Sequence, residues 1–291
     1  MITHEQIPDF YDWLSRYVQF SNWVAYRDRF AAFTMHKRLR VPTGAGSNAG
    51  PTAGLEYVND HLLEVAGLPA GSHVLDAGCG FGGTVFHWQA RIGGCYDGLT
   101  LSRVQRSVAQ REAKRRGIED VCRFHLQSYD APLPTDFDAV VAIESLIHSA
   151  DLAWTIPNLA KALRPGGLLL ILDDMATEAL DRVRPAEAAL LRCHWGCAHY
   201  PSADDYRDGL ARAGMGLAHE EDLSGLMVPR DGEVLDRLEK AYSRLHRAIP
   251  LPPVRTVVSA LLGGIALERL HGSGEVHYRL FVARNPDPRE A

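Results

Sequence analysis

The stretch HVLDAGCGFGG at residues 73–83 decides the fold of this 291-residue chain. Its apolar start predicts a buried strand that stops at Asp76, and its end can begin a helix. Gly78 and Gly80 have no Cβ and can adopt positive φ, so the backbone between strand and helix can pass close to a bound ligand. The first turn of the helix would point free N–H groups and its positive dipole end at the same space. The stretch therefore predicts a ligand-binding loop after the first strand of a parallel sheet.

The glycine spacing and the segments that follow it narrow the class of protein. A dinucleotide-binding loop has the pattern G-x-G-x-x-G, whereas this loop is Asp-x-Gly-x-Gly-x-Gly. Four more segments follow in order: GLTLSRVQ at 98–105, SYD at 128–130, DAVVAIESLIH at 138–148 and LRPGG at 163–167. Together with the loop they resemble the class I S-adenosylmethionine (SAM) methyltransferases, in the small-molecule branch with tocopherol, sterol, isoprenyl-diphosphate and cyclopropane-fatty-acid methyltransferases. The resemblance extends over residues 56–175.

Strand and helix patterns alternate from Leu55 onward, which predicts an α/β fold with a doubly wound, mostly parallel sheet. The predicted strands are 73–76, 94–99, 121–126, 137–142, 167–172, 217–222 and 275–283. The predicted helices are 56–67, 82–92, 102–116, 151–163, 203–213, 231–248 and 254–270. The resemblance implies a Rossmann-like, seven-stranded sheet whose last strand is antiparallel beside the sixth. We expect a helical cap and flexible linker over 1–54, and a SAM-binding domain over 55–291 with insertions at 175–201 and 226–270.

Aromatic residues are concentrated in the predicted cap. Nine of the 24 aromatic residues of the chain lie between residues 10 and 33, three to four positions apart, which favours a helix. Such rings commonly pack an amphipathic helix on the core. They can also wall an acceptor pocket, with one or two rings facing the positive sulfur of SAM. We expect the pocket to include Tyr17, Trp23 and Tyr26, and the sequence leaves open whether Tyr11, Tyr17 or Tyr26 contacts SAM.

The resemblance also implies which residues bind the cofactor. They are Asp76, Gly78, Gly80, Thr100, Leu101, Gln105, Ser128 and Tyr129. Asp76 would brace the loop and hold the amino group of SAM. Thr100 stands where most class I enzymes carry an acidic residue for the ribose, so Gln105 and the backbone would take over that contact. Asp97 is an alternative that should point elsewhere, and Tyr129 could stack on the adenine ring.

Glu144 and His148 follow the fourth predicted strand and are the candidate catalytic residues. Their spacing of four places both on one face if the segment is helical. The carboxylate could orient the acceptor, take a proton or stabilise developing positive charge. The imidazole could act as a general base near neutral pH. The alternative is that one of them contacts SAM while the other caps or packs.

Two further segments raise the question of a metal. CHWGCAHY at 193–200 contains cysteine and histidine ligands for zinc, but its spacing matches no known site and nothing else in the sequence supports one. We expect it to form a pocket wall with His194, Trp195 and His199, and we predict no metal ligands. Asp173 and Asp174 could hold Mg²⁺ only if the acceptor were a diphosphate; more often such a pair ends a strand.

Composition limits the partners. The net charge of −5 and the isoelectric point near 6.2 argue against a nucleic-acid substrate. Five cysteines without framework spacing indicate reduced thiols in a cytoplasm. We expect no charged-then-apolar leader, and the longest apolar run, 257–267, is too short to span a bilayer. An oligomer is compatible with the sequence.

The resemblance implies a SAM-dependent methyltransferase of a specialised metabolite, and the aromatic cap and helical insertions indicate that this acceptor is small and partly apolar. The resemblance favours C-methylation of an isoprenoid or aromatic acceptor. O- or N-methylation of an aromatic natural product is the alternative. A nicotinamide-dependent oxidoreductase would need the pattern G-x-G-x-x-G, which this loop does not have. A non-catalytic protein that keeps the SAM fold is a further alternative.

Overall fold

The computed structural model describes residues 7–42, 50, 52–195, 197, 200–287 and 289, and only the main chain of residues 23, 26, 29 and 30. The helices are α1 (Ile7–Tyr26), α2 (Arg29–Phe33), α3 (Ala53–Ala66), α4 (Gly83–Ile92), α5 (Arg103–Arg116), α6 (Leu152–Ala162), α7 (Leu180–Val183), α8 (Pro185–His194), α9 (Ala203–Arg212), α10 (Gly232–Ala248) and α11 (Pro252–Ser273). The strands are β1 (His73–Ala77), β2 (Cys95–Thr100), β3 (Cys122–Leu126), β4 (Phe137–Ile143), β5 (Leu163–Ala176), β6 (Gly216–Asp222) and β7 (Val276–Arg284).

One seven-stranded sheet organises the molecule, in the order β3-β2-β1-β4-β5-β7-β6. The first five strands in this order are parallel, whereas β7 runs antiparallel to both β5 and β6. The predicted doubly wound, Rossmann-like sheet with an antiparallel last strand is therefore confirmed. The strand order reverses between β1 and β4, which puts the switch point of the sheet at the glycine loop.

Side chains alternate between two apolar layers along the buried strands, because successive residues of a strand face opposite sides of the sheet. Val74 and Val141 pack on one face, and Leu75 and Val140 pack on the other. Helices cover both faces, so the parallel strands are buried on each side. No helix in the described part of the chain combines the length and the apolar composition needed to cross a bilayer.

Local signals begin several helices where the sequence predicts. The Ser102 side chain accepts a hydrogen bond from Gln105 N at the start of α5, and Asp151 does the same for Ala153 N at the start of α6. Ser202 forms a capping box with Asp205 at the start of α9. The first backbone N–H groups of a helix have no acceptor within the helix, and these short polar side chains provide one.

Strand β5 is longer than predicted. It begins directly after α6, where Leu163 pairs with Phe137, and its register shifts before Leu168. At its other end Asp173 and Asp174 pair with Arg279 and Tyr278 of β7. The long antiparallel partner therefore extends the strand, and the two aspartates lie inside β5 rather than at its end.

Candidate active site

The glycine loop lies tightly between two neighbouring segments. Gly78 has φ of +127°, and a Cβ there would lie 2.4 Å from the Cβ of Ser145, at the end of β4. Gly80 has φ of +53°, and its Cβ would lie 3.2 Å from Met35 Sδ. The absent side chain at Gly78 thus leaves room for β4 as well as for a ligand, which the sequence alone did not indicate.

A cavity of about 350 Å³ lies beyond the carboxyl ends of β1, β2 and β4. Of the predicted cofactor residues, it is lined by Gly78, Gly80, Thr100, Leu101, Gln105 and Tyr129. A smaller cavity of about 40 Å³ shares both glycines and is lined by Asp76. The structure therefore brings seven of the eight predicted cofactor residues to one crevice.

Asp76 provides the acidic end of that crevice. Its side chain is 4% exposed, and burial raises the pKa of its carboxyl to about 7. An ammonium group bound in the smaller cavity would stabilise the carboxylate and lower this pKa again. The crevice thus fits SAM, with glycine-cleared backbone beside the cofactor and an acidic side chain for its amino group.

Thr100 and Gln105 hold each other at the edge of the cavity. Thr100 Oγ1 donates to Gln105 Oε1 over 2.5 Å, and Gln105 Nε2 donates to Ser15 Oγ of α1 over 2.9 Å. Asp97, the alternative ribose ligand, instead binds His73 and His125 on the adjacent strands. The Gln105 amide therefore links the cofactor end of the cavity to the predicted cap.

Ser128 does not line either cavity. Its hydroxyl accepts a hydrogen bond from Asp130 N over 3.1 Å, which keeps it in its own turn, while Gln127 lines the large cavity. Tyr129 does line it, and its hydroxyl donates to Ser145 O over 3.0 Å. The prediction for Ser128 is thus not supported by its position, because a local hydrogen bond turns the side chain away.

One end of the cavity is apolar and is formed largely by α1 and α11. Its lining includes Ile7, Tyr11, Leu14, Tyr17, Val18, Trp195, Ala260 and Leu261. A Cβ at Gly263 would lie 2.9 Å from the Trp195 ring, so this glycine lets Trp195 pack against α11. Two of the predicted pocket residues, Tyr17 and Trp195, are therefore in the wall.

The remaining predicted pocket residues divide into two groups. His194 does not line the cavity: its Nδ1 is 2.6 Å from Ser259 Oγ, and its ring meets the His246 ring edge-on. The side chains of Trp23 and Tyr26, and the whole of His199, lie outside the described residues. His194 is thus held against α11 by a hydrogen bond and does not reach the cavity wall.

The segment from Glu144 to His148 is not an α-helix, so the condition under which their spacing would place them on one helix face is not met. Glu144 has φ of +49°, a strained value for a non-glycine residue, and residues Leu146–His148 form one 3₁₀ turn. The buried Asp173 carboxylate fixes that turn by accepting from Ile147 N over 3.0 Å. Both candidate residues nevertheless line the large cavity, because the turn folds the chain back over its floor.

His148 forms a pair with Tyr11 across 137 residues of sequence. Tyr11 Oη lies 2.6 Å from His148 Nε2, and Cys197 Sγ lies 3.8 Å from His148 Nδ1. Burial and nearby acidic groups, Cys197 among them, raise the pKa of Tyr11 well above its usual value. The phenol is therefore neutral and can accept one hydrogen bond while donating another.

Glu144 belongs to a partly buried network that sequence analysis missed. Its Oε1 accepts from Lys37 N over 2.7 Å and from the Tyr278 hydroxyl over 2.9 Å. Lys37 Nζ lies 3.2 Å from Glu144 Oε2 and 2.6 Å from Asp174 Oδ2. Lys37 has no local motif that marks it, because its partners come from β4, β5 and β7.

The residues do not fit Mg²⁺. Asp173 accepts from Asp174 N, Ile147 N and the Tyr206 hydroxyl, and Asp174 binds Lys37 and His271. Within the part of the chain that the structure describes, no group of three histidine, cysteine or acidic side chains could hold a metal ion. Mg²⁺ needs carboxylate oxygens that are free to coordinate it, and these are committed to protein donors.

Comparison with known proteins agrees with this geometry. Residues 55–185 match the family model described as mycolic acid cyclopropane synthetase. The chain is 32% identical over 182 residues to Methyltransferase GfsG of Streptomyces halstedii, covering 62% of this chain and 66% of that protein, so it spans about two thirds of that relative. It is 30% identical over 247 residues to an O-methyltransferase of Pyrenophora dematioidea, covering 80% of this chain and 84% of that protein.

A solved structure shares the fold at low identity. The geranyl diphosphate C-methyltransferase from Streptomyces coelicolor A3(2), in complex with Mg²⁺, geranyl-S-thiolodiphosphate and S-adenosyl-L-homocysteine (SAH), superposes with a TM-score of 0.71 at 19% identity, over 97% of each chain. The chain belongs to the class I SAM-dependent methyltransferases, in the small-molecule branch of the cyclopropane-synthetase type. SAM is the cofactor of that family.

Proposed function

We propose that the protein transfers the methyl group of SAM to a hydroxyl oxygen of a small, partly apolar molecule. The observation that carries this proposal is the Tyr11–His148 pair, which lies in the wall of the cavity beyond the glycine loop. A hydroxyl must lose its proton as it is methylated, and a nearby imidazole is the usual group to accept it.

Different residues of the chain would bind different parts of the cofactor. Bound SAM would supply a methyl group made electrophilic by its positive sulfur. Asp76 would hold the amino group of the cofactor, and the Gly78 and Gly80 backbone would lie against it. We propose that Tyr129 and Leu101 contact the adenosine part, with Thr100 and Gln105 closing its edge. Alignment and exclusion of water would then provide most of the rate.

The proton has a short path in this arrangement. Tyr11 Oη can accept a hydrogen bond from the acceptor hydroxyl while donating its own hydrogen to His148 Nε2, 2.6 Å away. As the new O–CH₃ bond forms and the C–S bond of the donor breaks, the acceptor proton moves to Tyr11 and the phenol proton to His148. The imidazolium then returns this proton to solvent.

The apolar end of the cavity would hold the body of the acceptor. Leu14, Val18 and Trp195 offer aliphatic and aromatic surface there, and burial of apolar area stabilises binding by about 25 cal/mol per Å². We therefore propose that residues 1–54 act as a cap that completes the acceptor pocket, on a methyltransferase domain formed by residues 55–291.

The test is incubation with methyl-labelled SAM and a panel of phenols, terpene alcohols, indoles and prenyl diphosphates. Once an acceptor is found, Tyr11→Phe and His148→Ala should each lower kcat by about 10²–10³-fold with little change in SAH affinity. Tyr57→Phe is the matched control, because that ring stacks on His61 away from the cavity, and it should leave kcat unchanged. Full activity of Tyr11→Phe and His148→Ala would contradict the proposed proton transfer.

C-methylation of an isoprenoid or aromatic carbon is the second candidate. The observation in its favour is the Glu144 carboxylate, which lies in the cavity wall together with the Tyr11 and Tyr129 rings and could stabilise positive charge on a methylated alkene. NMR of the labelled product separates the candidates, since O-methyl and C-methyl carbons have distinct shifts. Tight SAH binding with no labelled acceptor would favour a non-catalytic protein instead.

A further inference from the structure

Two acidic side chains in the wall of the large cavity, which we call the acidic floor, both contact one lysine. Glu144 and Asp174 both line the cavity, and the Lys37 ammonium lies between their carboxylates, at 3.2 and 2.6 Å. It also lies over the Tyr278 ring, 4.8 Å from the ring centre. Lys37 thus joins the segment after α2 to three strands at one point.

The four carboxylate oxygens of this floor all have protein donors. On Glu144 these are Lys37 N and the Tyr278 hydroxyl at Oε1, and Lys37 Nζ at Oε2. On Asp174 they are His271 Nε2 at Oδ1, over 2.9 Å, and Lys37 Nζ at Oδ2. A cation entering the cavity would have to displace the lysine before either carboxylate could bind it.

Lys37 and Asp174 each stabilise the ionised form of the other. Burial alone would lower the pKa of Lys37, but Asp174 and Glu144 outweigh it and raise that pKa above the usual value. Burial would likewise raise the pKa of Asp174, whereas Lys37 and His271 bring it below its usual value. The lysine therefore remains positive and lies between two acidic side chains, so this network offers no free cationic charge to a phosphate group.

We infer that Lys37 determines acceptor class: it occupies the position a divalent cation would need and so excludes diphosphate acceptors, leaving the cavity to uncharged molecules. This inference rests on the proposed function, because it assumes that the cavity receives the methyl acceptor. It distinguishes this chain from enzymes that use carboxylate-bound Mg²⁺ to hold a diphosphate. The acceptor's polar contact is then with Tyr11 and His148 rather than with a metal.

The test measures Mn²⁺ binding by electron paramagnetic resonance on the SAH-loaded full chain, with and without inorganic pyrophosphate. The wild-type protein should show no saturable Mn²⁺ site, with or without pyrophosphate. Lys37→Ala uncovers two carboxylates and should gain a saturable Mn²⁺ site that the wild-type protein lacks, and Lys37→Ala/Asp174→Asn should lose that site again. Lys161→Ala, on the exposed side of α6, is the matched control and should resemble wild type.

Two results would overturn the inference. One is a single Mn²⁺ site in the wild-type protein that disappears in Asp174→Asn, which would show that the floor holds a metal despite the lysine. The other is a folded Lys37→Ala protein that binds Mn²⁺ no better than wild type. The wild-type measurement decides the matter even where Lys37→Ala does not fold. Neither measurement needs turnover, so a failure of the proposed methyl transfer would be seen separately.

Discussion

Gly80 illustrates how one absent side chain determines what the cavity can bind. Its φ of +53° disfavours any other residue, and its missing Cβ faces Met35 at the border of the cofactor crevice. Strain of this kind costs about 1–2 kcal/mol in a non-glycine residue. The same backbone conformation occurs at Gly67, the C-cap of α3, with φ of +58° and open space around it. Substitutions at these two glycines therefore distinguish the effect of backbone strain from the effect of lost space for a ligand.

We predict that Gly80→Val weakens SAH binding by about 10- to 100-fold, because overpacking of this size costs about 1–3 kcal/mol. Gly67→Val should show a comparable loss of stability but bind SAH as the wild-type protein does. Isothermal titration calorimetry and thermal melts of both variants provide the comparison. Equal SAH affinity in Gly80→Val and wild type would refute the placement of the cofactor.

We predict that Asp76 makes SAH binding depend on pH. Its carboxyl is protonated in the ligand-free protein below about pH 7, whereas the ammonium of SAH needs the carboxylate. Affinity should therefore fall as pH decreases below about 7, approaching tenfold per pH unit, with a proton released on binding. Asp76→Asn should bind weakly at every pH. Calorimetry in buffers of different ionisation enthalpy measures both effects, and a pH-independent wild type would contradict the assignment.

The same raised pKa acts on stability in the opposite sense. The folded, ligand-free protein holds a proton on Asp76 between about pH 4 and pH 7 that the unfolded chain has already lost. The contribution of this group to the free energy of unfolding must therefore decrease as pH rises through that window. Saturating SAH should reduce the decrease, since the bound ammonium favours the carboxylate.

At the scale of elements, the central contact is that of α1 with α5. The Asp12 carboxylate accepts hydrogen bonds from the Ser102 hydroxyl and from Val104 N at the first turn of α5, where a negative charge is favoured by the helix dipole. Ser15 joins Gln105 one turn further along α1. These bonds hold the aromatic helix over the cofactor end of the cavity.

We predict that Asp12→Ala loosens this contact and speeds SAH dissociation about fivefold, because loss of a capping carboxylate costs about 1 kcal/mol. Hydrogen exchange of the α1 amides should increase in parallel. Asp9→Ala is the control, since Asp9 is exposed on the same helix, and it should change neither quantity. Unchanged dissociation in Asp12→Ala would show that α1 does not hold the cofactor in place.

Elements with local signals could be predicted from the sequence, and those set by distant partners could not. Ser102 and Asp151 mark helix starts within their own turns, so α5 and α6 were placed to within one residue. The turn after Glu144 depends on the Asp173 carboxylate from another strand, so the sequence could not decide whether that segment is helical. The full length of β5 depended on β7 in the same way.

For the whole molecule, the sheet brought together residues that the motifs had identified separately. The switch point between β1 and β4 places the carboxyl ends of the strands around one crevice, so it could be predicted that the motif residues lie close together. The contacts in the rest of the cavity wall could not be predicted. The Tyr11–His148 and Lys37–Asp174 contacts each span 137 residues, and no local pattern encodes such pairings.

The most direct test of the account is a crystal structure of the protein soaked with SAH. We predict the amino group of SAH at Asp76, its backbone contacts along Gly78 and Gly80, and its sulfur facing the Tyr11–His148 pair. SAH bound elsewhere, with the crevice above Asp76 empty, would contradict the placement of the cofactor and every role derived from it.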